Sequence, residues 1–161
     1  MPTHLQRITP FLWFDHQAED AANFYVSIFE NSRIVSTTRY GESGPGPKDS
    51  VMTVSFELDG QEFTALNGGP HFKFTEAVSF VVHCETQQEV DKFWNKLTEG
   101  GQESQCGWLK DKFGLSWQVV PNALPKLLQD KDPARSKRVM AALLKMKKLD
   151  IDELQRAHDQ S

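Results

Sequence analysis

Two cysteines and five histidines are the residues of this 161-residue chain best suited to act as nucleophiles, bases or metal ligands. Cys106 stands in Cys106-Gly-Trp-Leu-Lys110, where a nearby ammonium could favour the thiolate and make it a nucleophile. No histidine lies close to it in sequence to serve as a base, so the plainer reading is a small buried strand residue. Cys84 ends an apolar run and reads as core. His71 follows Gly69-Pro70 and is flanked by Phe72 and Phe74, on a loop where a ring nitrogen could meet a ligand. His83 stands near the end of an apolar run, either as a titratable donor or as a half-exposed strand-end residue. His4, His16 and His158 lie near a terminus or an element start, and nothing links them. The spacings match neither a metal-ligand cluster nor a disulfide framework.

Composition narrows the partners. The net charge is −4 and the pI near 5.7, which speaks against nucleic acid, because phosphate contacts need a basic face. No apolar run reaches the length that spans a bilayer, and the opening MPTHLQRITP lacks the apolar segment of a signal peptide. The expectation is a reduced, cytoplasmic protein. A chain of this size buries roughly 70% of its unfolded surface without a metal or disulfide staple. Eleven Phe and four Trp are many for the length, and aromatics both fill cores and line ligand pockets.

The elements that must position these residues follow from periodicity. RITPFLWF (7–14) is an apolar strand, with Phe11 and Trp13 assigned to the core phase. In AEDAANFYVSIFEN (18–31), Ala21, Phe24, Tyr25, Ile28 and Phe29 recur at helical spacing. RIVSTTRY (33–40) is β-branched, and GESGPGPKD (41–49) is a loop. VMTVSFEL (51–58) and EFTALN (62–67) flank Asp59-Gly60, a tight-hairpin dipeptide. The order then repeats. AVSFVVHC (77–84) is a strand, and Thr86 with Glu89 is a capping box opening a helix that Gly100-Gly101 stops. Short strands near 103–107 and 108–112 and then LSWQVVP (115–121) complete the unit.

Internal similarity supports a duplication: Phe24-Tyr25 answers Phe93-Trp94, and Gly60-Gln-Glu-Phe63 answers Gly114-Leu-Ser-Trp117. Beyond the second copy, Asp132-Pro133 starts a helix, with Val139, Met140, Leu143, Leu144 and Met146 as its stripe. Asp150 with Glu153 opens a short last helix. Periodicity leaves open whether this tail covers its own core or forms a dimer surface. The fold class is α+β: two βαβββ modules forming curled mixed sheets around a cleft, plus C-terminal helices. Residues 1–125 form the paired modules and 126–161 a helical extension of the same domain.

The segments Glu19-Asp-Ala-Ala-Asn-Phe-Tyr25, Leu66-Asn-Gly-Gly-Pro70, Cys106-Gly-Trp-Leu-Lys-Asp-Lys-Phe-Gly114 with Ser116-Trp-Gln118, and Arg138-Val-Met140 are distinctive together. By them the chain resembles the vicinal-oxygen-chelate (glyoxalase/bleomycin-resistance) superfamily, in its PhnB-like branch described as 3-demethylubiquinone-9 3-methyltransferase. The resemblance implies a homodimer and a cleft in which catalytic members bind a divalent metal through four inward residues. That metal acts as a Lewis acid on two vicinal oxygens.

Those four positions can be located here. The first falls at Ile8 or Pro10, its partner in the fifth strand at Ala77 or Ser79, and the last-strand glutamate position at Gln118, with Thr64 as its counterpart. None offers imidazole, carboxylate or thiolate, so the expectation is a protein with no metal and no other cofactor. An S-adenosylmethionine enzyme of the common type needs a glycine-rich strand-to-helix turn, and Asp15-His16-Gln17-Ala18-Glu19 has no glycine. Trp117 and Phe63 read as packing, whereas Trp108 could face the cleft and stack on a planar ligand.

Three readings remain. The first is a metal-independent small-molecule binder using Thr64, Asn67, His71, Ser79, His83, Trp108 and Gln118. The second is an enzyme (lyase, isomerase or transferase, including the family's methyltransferase) with a non-standard site that could enlist Cys106. The third is a structural dimer with an inert cleft.

Overall fold

The computed structural model describes residues 6–160, so His4 lies outside it. The chain forms two compact units, Met1–Phe74 and Thr75–Ser161. The first contains β1 (Phe11–Phe14), α1 (Ala18–Ile28), β2 (Arg33–Arg39), β3 (Val51–Leu58) and β4 (Gln61–Asn67). The second contains β5 (Ser79–Cys84), α2 (Gln87–Thr98), β6 (Gln102–Glu103), β7 (Trp108–Lys110) and β8 (Ser116–Pro121), then α3 (Ala123–Leu128), α4 (Pro133–Leu143) and α5 (Ile151–Asp159). The strand orders are β1-β4-β3-β2 and β5-β8-β7-β6. In each unit the last strand of the βαβββ run pairs parallel with the first, and every other pairing is antiparallel. The duplication read from sequence is therefore present in topology.

Alternation divides each sheet into a helix-covered face and an open one. In the first unit Leu12, Phe14, Val54, Phe56, Phe63 and Ala65 are buried, with Tyr25 of α1 against Phe56. Ala18, Ala21 and Ala22 bring the helix backbone close to the sheet. Phe11 and Trp13 take the other phase from that assigned by sequence. Phe11 is 59% exposed, while the Trp13 indole donates to Gly69 O at 2.9 Å and meets Phe72 edge-on. Register decides the matter: Leu12 pairs with buried Ala65, and Phe11 with Thr64.

No side chain at Gln17 caps α1. The cap comes instead from Asn67, whose Oδ1 accepts from Ala18 N at 2.8 Å. The helix α2 uses the capping residue legible in sequence, with Thr86 Oγ1 accepting from Glu89 N. Its buried stripe is Val90, Trp94 and Leu97.

Trp117, Val119 and Pro121 of β8 are buried on the α2 side. Asp111, also buried, receives three hydrogen bonds: Phe113 N at 2.8 Å and Leu115 N at 3.1 Å on Oδ1, and the Trp117 indole at 2.9 Å on Oδ2. This carboxylate both turns the chain between β7 and β8 and fixes the tryptophan.

The tail packs within the second unit. Leu124, Leu127, Val139, Leu143, Met146, Leu149 and Leu154 form one buried cluster, with Cys106 and Val120 against it. Met140 and Leu144, expected in the stripe, are 42% and 62% exposed, because α4 buries a narrower face than its apolar content allows. The helix α3 was not expected from sequence; its Pro125 falls in the first turn, where a missing N–H costs nothing. Cys106 does not lie in a strand. It occupies a turn with φ +60°, followed by Gly107 at φ +84°, and both N–H groups donate to the α4–α5 connection, at Met146 O and Lys147 O. A Cβ on Gly107 would stand 2.9 Å from Val119 O, so only glycine fits there.

At the end of α5, His158 is held by two carboxylates, Asp130 at 2.7 Å and Asp159 at 2.8 Å, and Arg138 donates to the carbonyls of Ala157 and His158.

Two outcomes follow from this packing. Trp117→Ala should cost about 3–5 kcal/mol in urea denaturation, and a near-neutral result would contradict its place in the core. Hydrogen bonding to Asp159 and then Asp130 raises the His158 pKa above its ordinary 6.5. The same bonds lower both carboxylates, with the Asp132 backbone N–H the largest cause at Asp130. The clasp therefore stabilises fully below 6.5 and fades as pH rises through the raised folded value. The carboxylate share persists above 3.8 and is lost as pH falls through their lowered values. His158→Gln should flatten the alkaline slope of a stability–pH curve; an unchanged slope would contradict the clasp.

Candidate functional site

In the second unit the open face carries two rows across the strands. Ser79, Ser116, Lys110 and Gln102 stand in register in one row, and Val81, Gln118 and Trp108 in the next. The Gln118 Nε2 donates to Ser79 Oγ at 2.9 Å. Three residues read from sequence as ligand contacts, Ser79, Trp108 and Gln118, thus meet on one surface, with Trp108 half-buried and Val81 exposed beside them. His83 lies one row further, opposite Val120, and is exposed.

Lys110 is ion-paired with Glu76, whose carboxyl is lowered from its usual pKa chiefly by this hydrogen bond. The ammonium that could have favoured a Cys106 thiolate is thus engaged elsewhere, and Cys106 abuts the tail cluster. Burial, and next the charge of Glu89, push the Cys84 thiol up to about 11, which suits an inert core residue.

In the first unit Thr64 stands between Phe11 and Ser55 on the open face. If Thr64 is the counterpart of Gln118, as the Gly60/Gly114 match implies, Phe11 opposite Thr64 answers Val81 opposite Gln118. Pro10, one of the two candidate first-strand positions, offers its carbonyl, which accepts from Thr64 N at 3.0 Å.

Asn67 and His71 go elsewhere in that unit, to a cavity of 610 Å³ also lined by Asp15, His16, Glu19 and Tyr40. Beyond capping α1, the Asn67 side-chain amide donates to Val51 O at 3.1 Å, and the Asn67 backbone carbonyl accepts from the Tyr40 hydroxyl at 2.5 Å. Gly68 lets the loop lie on Trp13, since a Cβ there would come within 2.4 Å of the indole. Asn67 thus builds the pocket wall, and His71 stands exposed at its edge.

The residues at the positions where the sequence resemblance implies metal ligands do not suit a divalent ion. Ser79 and Gln118 are neutral and satisfy each other, and Thr64 adds a hydroxyl beside a phenyl ring. Among the described residues, no group of three or more His, Cys, Asp or Glu is placed to hold a metal. Sequence reasoning missed Asp111, whose role appears only once the turn brings Trp117 over it, and Ser116, whose hydroxyl is buried without a partner.

Two βαβββ units, each closing its last strand onto its first, match the architecture that the sequence resemblance implies. The family model described as 3-demethylubiquinone-9 3-methyltransferase matches residues 6–120, and the chain belongs to this family. A PhnB protein from Bacillus cereus, provisionally described as a 3-demethylubiquinone-9 3-methyltransferase, is 42% identical with a TM-score of 0.66, over 72% of this chain and 99% of that one. A protein from Pseudomonas aeruginosa (20% identity, TM-score 0.60) shares the fold over 72% of this chain and 97% of its own. So does a fosfomycin resistance protein, FosX, from Listeria monocytogenes (13% identity, TM-score 0.56), over 80% and 100%. No curated protein matches the chain. The family match ends at residue 120, before α3–α5.

Gln118→Glu should raise affinity for Mn²⁺ or Zn²⁺ by less than about tenfold in titration calorimetry, because one carboxylate does not make a site. Stoichiometric binding at about micromolar affinity would contradict this.

Proposed function

We propose that this protein binds a small molecule on the open face of the second unit's sheet, without the divalent metal used by catalytic members of the superfamily. The observation carrying this reading is the hydrogen bond from Gln118 to Ser79, which fills a metal-ligand position with a neutral donor–acceptor pair. An amide and a hydroxyl can each still offer a donor or acceptor to a polar ligand. The adjacent Trp108 supplies a planar apolar wall, and His83 flanks the same face. The first unit offers surfaces of its own, with Thr64 on its open face and Asn67 and His71 at its pocket. The chain is proposed to act as a homodimer, as folds of this kind usually do.

The family's methyltransferase description does not extend readily to these residues. The turn Asp15–Gln17 between β1 and α1 has no glycine with which to approach a nucleoside cofactor, and the first N–H of α1 is taken by Asn67.

A thermal-shift screen in EDTA tests the proposal. A ligand at 100 times its Kd should stabilise by about 2.7 kcal/mol. Gln118→Leu and Trp108→Ala should each abolish most of that shift, and Lys145→Ala in the tail should leave it intact. Hits that require added metal, or that survive both substitutions, would contradict it.

A further inference from the structure

Ser116 is fully buried, and its Oγ is the one buried side-chain nitrogen or oxygen among the described residues with no hydrogen-bond partner. Such a group costs free energy unless something supplies the missing bond, and it calls for a physical reason. A cavity of 160 Å³ adjoins it, lined also by Lys110, Glu76, Gln102 and Trp108. Register sets Ser116 between Ser79 and Lys110 in the polar row of the open face, so hydroxyl and ammonium stand in adjacent strands. Glu103 lines the cavity too, but its Oε1 accepts from the Trp94 indole of α2 at 2.9 Å, and its register partner is the buried Leu109. Its charge therefore belongs to the helix-covered side. What remains at the Ser116 end is one ammonium, one unused hydroxyl and one carboxylate, Glu76, whose side chain is 61% exposed.

Resting on the small-molecule reading above, we infer that this cavity receives the oxyanion of the ligand, a carboxylate or phosphoryl group, which replaces Glu76 on Lys110 and accepts from Ser116 Oγ. The ligand's planar portion then lies along Trp108 and Gln118. Glu76 is an internal competitor: it neutralises Lys110 when no ligand is bound, and yields because an exposed ion pair is weak. The incoming oxyanion gains a charge-assisted bond to Lys110 together with a buried hydroxyl that had none.

The test titrates the full-length protein with benzoate and its neutral isostere benzamide, following backbone amides and tryptophan indoles by NMR, with phenyl phosphate as the phosphoryl arm. Benzoate or phenyl phosphate should shift the Ser116 amide and the Trp108 indole. Glu76→Gln should tighten that binding by about twofold to fivefold, the range a weak exposed ion pair allows, Lys110→Met should abolish it, and Ser116→Ala should weaken it by about fivefold, the worth of one hydrogen bond. Ser116→Ala should also unfold at the same or higher denaturant concentration than the parent, since it removes an unpartnered polar atom. Benzamide that binds as well as benzoate, with Glu76→Gln changing neither, would overturn the oxyanion assignment and leave the small-molecule reading standing. No shift at Trp108 with any of the three would overturn both.

Discussion

In each unit the last strand of the βαβββ run lies parallel to the first, and that pairing decides which residues meet. A parallel pair cannot be closed by a hairpin, so the chain must cross over with a helix, and the helix covers one face of the sheet and leaves the other open. In the second unit this sets Ser79 of β5 beside β8, 39 residues away in sequence from the Gln118 it bonds. Because β8 lies between β5 and β7, its alternation sorts two sets of residues. Trp117, Val119 and Pro121 enter the core beneath α2, while Ser116, itself buried, and Gln118 lie on the opposite face.

The open face is polar where the superfamily's chemistry calls for charge. A carboxylate at position 118 would seek a cation; the amide instead donates to a serine hydroxyl and closes a neutral circuit. In the proposed reading, recognition by such a surface would rest on hydrogen bonds and on stacking against Trp108. The one cation in the polar row, Lys110, is held by an exposed carboxylate, Glu76. Support from behind is stiff, since Asp111 ties the β7–β8 turn to the Trp117 indole, so these side chains project from a fixed sheet.

Features written locally were legible in sequence. The caps Thr86, Asp132 and Asp150 each accept from a backbone N–H two or three residues on, and Asp59-Gly60 marks its hairpin with two positive φ angles. Features that depend on distant pairing were not legible. The run Phe-Leu-Trp-Phe is apolar at every position, so its phase emerges only from register with β4, and Phe11 and Trp13 were placed on the wrong side. The cap of α1 comes from Asn67, 49 residues away, and the backbone of Cys106 is held by the tail. Within the candidate site, alternation along β8 was enough to place Gln118 and to separate it from Trp117. The empty hydroxyl of Ser116 needed the neighbouring strands, the cavity and the Glu76–Lys110 pair all at once.

In the proposed reading, ligand recognition belongs to Ser79, Gln118 and Trp108 and needs no divalent ion. It is tested most directly by mapping NMR shifts from a mixture of small aromatic and polar compounds, in EDTA and again with added Mn²⁺ or Zn²⁺. The account predicts shifts clustered at Ser79, Gln118 and the Trp108 indole that are the same with and without metal. Shifts that appear only with metal, or that leave those three residues untouched, would contradict it.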